Sequence, residues 1–201
     1  MTDDRGGHVG RLLAAAVHQA ITDELPTRID FYEHWLRGER MRDGGVGLAP
    51  MTAVMGFLRT EGQPYHVVMS HAGRFAAEWT RDAMPAMRRR WLLALPRWWR
   101  ARAVLRLASR AIRDGYAPSK VVVRVKRGQA RIEIRHSLFC RVRDTLTTAQ
   151  CDYHAALIAG VLTAFNLPAA VTIEWCLAKG DGYCVIAADL TGAAASVEEV
   201  S

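Results

Sequence analysis

"SKVVVRVKRGQARIEIRHS", residues 119–137, decides the fold class. Val121, Val123 and Val125 alternate with other residues on one side of Arg127-Gly128, and Ala130, Ile132 and Ile134 alternate on the other. A period of two around a short glycine-containing turn predicts a β-hairpin. A second stretch has the same pattern: residues 170–177 and 183–190 flank Gly180-Asp181-Gly182. Between the hairpins, residues 147–166 predict a helix, opened by threonines suited to capping and ended before Leu167-Pro168.

Everything before the first hairpin reads as helix or loop. Residues 9–25 place Leu12, Ala16, Ala20 and Ile21 near one helical face, and Pro26 stops the run. Further helices are predicted over 28–40, 51–60, 73–84 and 101–113, with Pro85 and Pro96 as breaks. Residues 44–50 read as a loop and 65–69 as an extended segment. The order helices–hairpin–helix–hairpin predicts an α+β fold, helices packed on an antiparallel sheet built from the two hairpins. One domain is expected over residues 1–190, with a flexible tail at 191–201.

The chain has 201 residues, 50% of them hydrophobic, which is enough for a sizeable core. Its strongest apolar run, 155–165, is too short to cross a bilayer. The acidic start, MTDDRGG, is unlike a secretory signal, so a cytoplasmic location is expected. Disulfides are disfavoured there, and Cys140, Cys151, Cys176 and Cys184 read as thiols or metal ligands.

The net charge of +7 is concentrated: residues 88–113 hold nine arginines and no acid. Trp91, Trp98 and Trp99 are interleaved with them. That mixture suits peripheral attachment to an anionic membrane surface, or recognition of anionic groups on a ligand. A solvated helical face with a few core tryptophans is the plainer alternative. No nucleic-acid-binding module stands out, so nucleic acid is not an expected partner.

"CLAKGDGYC", residues 176–184, holds the remaining chemistry. On an extended strand Thr172, Glu174 and Cys176 share one face, and Cys184 opens the returning strand. Cys151 and His154 face the same way on the intervening helix. If that helix packs on the second hairpin, three thiols meet, and Glu174 or His154 could complete a tetrahedral zinc site. The C-x7-C spacing is not a finger spacing. Buried core thiols, a redox pair and a Cys151–His154 nucleophile therefore stand as alternatives.

"CDYHAALIAGVLTAF" (151–165) with "AAVTIEWCLAKGDGYCVIAAD" (169–189) resembles the C-terminal half of the 4-vinyl-reductase domain family. "HAGRFAAEW" (71–79) resembles that family's early Gly-Arg helix. The matching positions are Cys151 opening the helix, Cys176 before the turn, Gly180-Asp181 within it and Cys184 after it. A more distant similarity is to core subunits of a vesicle-tethering complex.

The resemblance implies a domain enclosing an apolar pocket for a small hydrophobic molecule. It also implies, as in some members, a structural zinc held by three cysteines and a glutamate, here Cys151, Cys176, Cys184 and Glu174. The family commonly places two residues between that glutamate and the cysteine, whereas this chain has only Trp175.

The expected function is binding a tetrapyrrole pigment intermediate, as carrier or accessory protein in the vinyl-reduction step of bacteriochlorophyll formation. The alternative is a stand-alone aromatic- or lipid-sensing or protein-interaction module acting through a partner. No dinucleotide or flavin signature and no iron–sulfur cysteine run is present, so a carrier is easier to defend than an autonomous vinyl reductase.

Candidate pocket residues are Phe57, Phe75, Trp79, Met87 and Trp91, with Met55 and Met84; ordinary core packing is the competing reading for each. His66 and His71 could orient a ligand. The expected partners are a hydrophobic ligand or pigment, an anionic membrane surface through 88–113, and a second copy of the chain.

Overall fold

The two alternating stretches fold as hairpins and join into one sheet. A computed structural model describes residues 8–36, 45–142 and 144–191. Strand β3 (Lys120–Lys126) turns into β4 (Gln129–Arg135) through Arg127 and Gly128, at φ 50° and 79°. Left-handed values at both turn residues match the right-handed twist of the strands they connect. Strands β5 (Ala170–Trp175) and β6 (Cys184–Asp189) form the second hairpin. The sheet order is β3-β4-β6-β5, all antiparallel, and Ile134 of β4 lies opposite Cys184 of β6. Ala130, Ile132, Ile134, Ile186 and Ala188 are buried on the helix side. The opposite face carries charge, including the Arg131–Glu174 ion pair at 2.9 Å. The fold is α+β.

Seven α-helices are described: α1 (Arg11–Glu24), α2 (Ile29–Leu36), α3 (Leu48–Thr60), α4 (Gln63–Asp82), α5 (Ala86–Ala94), α6 (Arg97–Gly115) and α7 (Asp152–Ala164). Pro85 and Pro96 stand at the N-caps of α5 and α6, so each proline ends one helix and permits the next. A small sheet pairs β1 (His8–Gly10) with β2 (Gly45–Gly47).

Three expectations are corrected. Residues 45–47, read as loop, form β2, because glycines flanking Val46 hide the alternation that marks a strand. Residues 65–69, read as extended, lie inside α4. Tyr65, Val68, Met69, Ala72 and Ala76 bury one continuous helical stripe, and Pro64 occupies the first turn, where proline is tolerated. The helix expected from 147 begins at Asp152, with Cys151 as its N-cap. The expected helix over 28–40 is seen as α2, and its remainder, like residues 192–201 of the tail, lies outside the described residues.

Helix α7 is apolar nearly all round and packs against α4, α6 and the sheet, burying Leu157, Ile158, Val161 and Leu162. Two glycines set its distance from α4. A Cβ on Gly73 would stand 2.4 Å from the carbonyl oxygen of Tyr153 and 2.9 Å from the amide nitrogen of Leu157. A Cβ on Gly160 would stand 2.7 Å from that of Ala77. The glycine of "HAGRF" is thus a contact residue between backbones.

Gly73→Ala gains about 1 kcal/mol of helix propensity but forces two packed helices apart, at a typical cost of about 1–3 kcal/mol. The expected outcome is a lower urea midpoint at unchanged slope. An unchanged or raised midpoint would mean that α4 and α7 can separate freely.

Candidate metal centre

Four thiols reach one point from three parts of the chain. Cys140 ends a one-turn 3-10 helix (Leu138–Cys140) after β4, Cys151 caps α7, and Cys176 and Cys184 bracket the β5–β6 loop. The loop is built to hold its two cysteines. The Asp181 carboxylate accepts a hydrogen bond from the Cys176 amide at 2.7 Å, and Gly180 at φ 97° makes the reversal. The Leu146 amide donates to the Ala178 carbonyl at 2.7 Å, tying the segment after Cys140 to the same loop.

All four sulfurs lie within 4.8 Å of one another. Cys140 is 3.2 Å from Cys151, 3.5 Å from Cys176 and 3.4 Å from Cys184, and Cys151 is 3.5 Å from Cys176. A tetrahedral zinc with bonds of about 2.3 Å places its sulfurs about 3.8 Å apart, close to this spacing. All four residues are at most 2% exposed. Core thiols normally face carbon; here each faces other sulfurs.

The surroundings favour thiolate at Cys176 and Cys184. The Gln150 amide donates to the Cys176 sulfur at 3.3 Å, and the Leu177 amide to the Cys184 sulfur at 3.4 Å. Such outer contacts steady negative sulfur. Hydrogen bonds from neighbouring thiols hold Cys176 and Cys184 below the ordinary cysteine range, whereas the thiol neighbours, then burial, push Cys151 up. Four sulfurs so close cannot all ionise without a cation among them. One divalent ion bound by four thiolates would supply it, and the donor set fits zinc.

The structure brings Cys151, Cys176 and Cys184 together and adds Cys140 to them. Glu174, expected as the fourth ligand, is not in this group. It lies on the charged face of the sheet, 39% exposed by side chain and paired with Arg131. A register shift between β5 and β6 falls between Ile173 and Trp175, breaking the alternation that would align Glu174 with Cys176. His154 is also outside the cluster. It is buried edge-to-face against Phe139, its Nδ1 without a partner, and burial pushes its imidazole down to about 4.

The candidate pocket residues do not converge. Phe57 packs edge-on to Phe31, Phe75 stacks on Trp79, and Met55 and Met84 are buried in the core. Met87 and Trp91 stand in solvent, 84% and 63% exposed. His66 pairs with Asp152 at 3.0 Å, and His71 pairs with Glu24. The cleft that adjoins the cysteines was not read from the sequence. It has a volume of about 720 Å³ and is lined by Leu48, Ala49, Thr52, Arg141, Val142 and Leu177, with Cys140 in its wall. The polar groups facing it include Asp144 and Thr145.

No family profile matches the chain, and no curated protein matches it. Among solved structures it is similar to the phenol-responsive sensory domain of the transcription activator PoxR, determined with phenol. The identity is 14%, over 71% of this chain and 74% of that one, with a TM-score of 0.49.

Losing one ligand should cost more than losing an outer contact, which typically lowers affinity by about 10–100-fold. Cys140→Ser is therefore expected to weaken zinc binding by more than about 100-fold in competition with a chromophoric chelator. Glu174→Gln is expected to leave affinity unchanged. The reverse ranking would restore Glu174 as the ligand.

The buried His154 gives a separate pH signature. Its imidazole is pushed from 6.5 down to about 4, chiefly by burial, so the unfolded chain takes up the proton first. Its contribution is whole above pH 6.5 and is lost as pH falls from 6.5 towards 4. At pH 5 the wild type should have lost about 2 kcal/mol relative to His154→Phe, compared with their difference at pH 7. Urea unfolding of both proteins at both pH values checks this, because acid release of metal is common to the pair and cancels. An unchanged difference would show that His154 is not buried as neutral imidazole.

Proposed function

We propose that this chain is a small-molecule-binding module of the sensing type, in which a structural zinc on Cys140, Cys151, Cys176 and Cys184 holds the wall of the ligand cleft. The supporting observation is that Cys140 belongs at once to the thiol cluster and to the lining of the 720 Å³ cleft. That volume is in the usual range for small-molecule sites, and its mixed lining suits a ligand with an apolar body and one or two polar groups. Four thiolates complete a tetrahedral shell and leave no open position, so the ion's role is to stabilise rather than to activate substrate.

A ligand in the cleft would touch Arg141 and Leu177, the immediate neighbours of two metal-held cysteines. Arg141 in turn donates to the Tyr116 hydroxyl at 2.7 Å, beyond the end of α6. Occupancy would thus bias the segment after Cys140 and the C-terminal end of α6 together, which is how a sensor passes a signal to a partner. The tetrapyrrole carrier implied by the 4-vinyl-reductase resemblance is a narrower form of the same proposal, with a pigment as the ligand.

The test titrates the zinc-loaded chain with three probes: phenol, a long-chain fatty acid and a chlorophyllide. Saturable binding of one probe at one per chain is expected, weakened at least tenfold by Ala49→Trp, which fills the cleft and leaves all four cysteines in the chain. Pigment binding alone would select the carrier form. Failure of all three probes, or binding indifferent to Ala49→Trp, would overturn the proposal.

A further inference from the structure

The stretch 85–113, which the zinc site and its cleft do not use, forms a surface with one chemistry. Helix α5 buries only Leu92, and α6 turns a buried stripe of Val104, Leu105, Ala108 and Ile112 inward. What remains outside is unusual. Met87, Trp91, Trp98 and Trp99 are 84%, 63%, 53% and 52% exposed. Eight large apolar side chains are exposed among the described residues, and half of them fall within these 13 positions. Scattered exposed apolar groups need no explanation, but a concentration marks an interaction surface.

The charge around them has a single sign. Residues 88–113 hold nine arginines and no acid, and among the described residues no carboxylate pairs with Arg88, Arg106 or Arg110. Those three arginines line a cleft of about 390 Å³ between α5 and α6, together with Trp91, Trp99 and Leu92. Arg102 lies over the Trp98 ring at 5.4 Å, and Trp98 and Trp99 rings are 4.1 Å apart, so the aromatic edge is pre-formed.

We infer that this face is a docking surface for an anionic phospholipid bilayer. Indole rings partition to the boundary between headgroup and acyl chain, and guanidinium groups pair with phosphate in the same layer. Tryptophan and methionine side chains projecting beside arginines match both layers at once. A nucleic-acid duplex would use the arginines but leave the projecting apolar groups unsatisfied. No described helix is long and apolar enough to cross a membrane, so the helices lie on the surface. The cleft is of a size to take one headgroup phosphate, with Trp91 and Trp99 beside it. The surface is separate from the cysteine cluster, and the inference does not depend on the proposed ligand function.

The experiment sediments the full chain with vesicles of phosphatidylcholine alone and of phosphatidylcholine mixed with phosphatidylglycerol. Binding is expected to the mixed vesicles, to fall with added salt, and to shift tryptophan emission to the blue. Each arginine near an anionic surface is worth about fivefold, so Arg88→Gln with Arg106→Gln and Arg110→Gln should lower partitioning about 100-fold. Trp91→Ala with Trp99→Ala should lower it at least tenfold and remove most of the blue shift. All five residues are exposed, so circular dichroism and zinc content should match the wild type. Equal binding to neutral vesicles would overturn the inference, as would variants that partition like the wild type. Binding to a DNA duplex without binding to mixed vesicles would assign the arginines to nucleic acid instead.

Discussion

Four sulfur atoms, each buried and each within 4.8 Å of the others, are the constraint on which the second half of this fold depends. They arrive from the exit of β4, the start of α7 and both sides of the β5–β6 loop. Without a cation the site is four desolvated thiols with two backbone amides pointed at them. Bind a divalent ion and the same geometry stores free energy. Apparent binding free energies for structural zinc are about 10–16 kcal/mol, comparable to the stability of a whole domain. The ion would therefore fasten α7 to the sheet from one end, while the close approach at Gly73 fastens it to α4 from the side.

The cleft lies beside the cysteine cluster, with Cys140 in its wall. Helix α3 begins at Leu48, directly after the small β1–β2 sheet, and its first turn faces Arg141 and Leu177 across open space. Both of these residues are chain neighbours of clustered cysteines, Cys140 and Cys176. The far wall of the cleft is thus rigid wherever the metal is bound. The arginine- and tryptophan-rich α5 and α6 surface is built differently: α5 is confined to nine residues between two prolines and buries little, and the charge is of one sign. The cleft beside the cysteines and the α5–α6 face thus differ in lining, in charge and in how much apolar surface they leave exposed.

Much of this was legible in the residues. Alternation around Arg127-Gly128 and Gly180-Asp181 marked both hairpins, and their combination with helical spacing elsewhere named the fold class. Three of the four clustered cysteines were identified, because strand alternation and helical spacing relate residues within one element or across one loop.

Cys140, one of four thiols or metal ligands in the sequence reading, has no place in the expected three-cysteine cluster because its position depends on β4 pairing with β6, strands 50 to 60 residues apart. No local period records such a pairing. Glu174 reads as a candidate ligand, beside His154, when alternation is carried through a register shift that is invisible in sequence, and the family resemblance implies the same glutamate. The same limit applies to the cleft, whose walls come from α3, the segment after Cys140 and the β5–β6 loop. The extended reading of 65–69 failed for another reason: five residues are too few to separate a strand from part of a 20-residue helix.

The central claim is that all four cysteines bind one metal, and X-ray absorption at the zinc edge tests it most directly. Purified protein is predicted to contain one zinc per chain with a first shell of four sulfurs at about 2.3 Å and no light-atom scatterer. A shell that includes oxygen or nitrogen, or protein isolated without stoichiometric metal under reducing conditions, would contradict it.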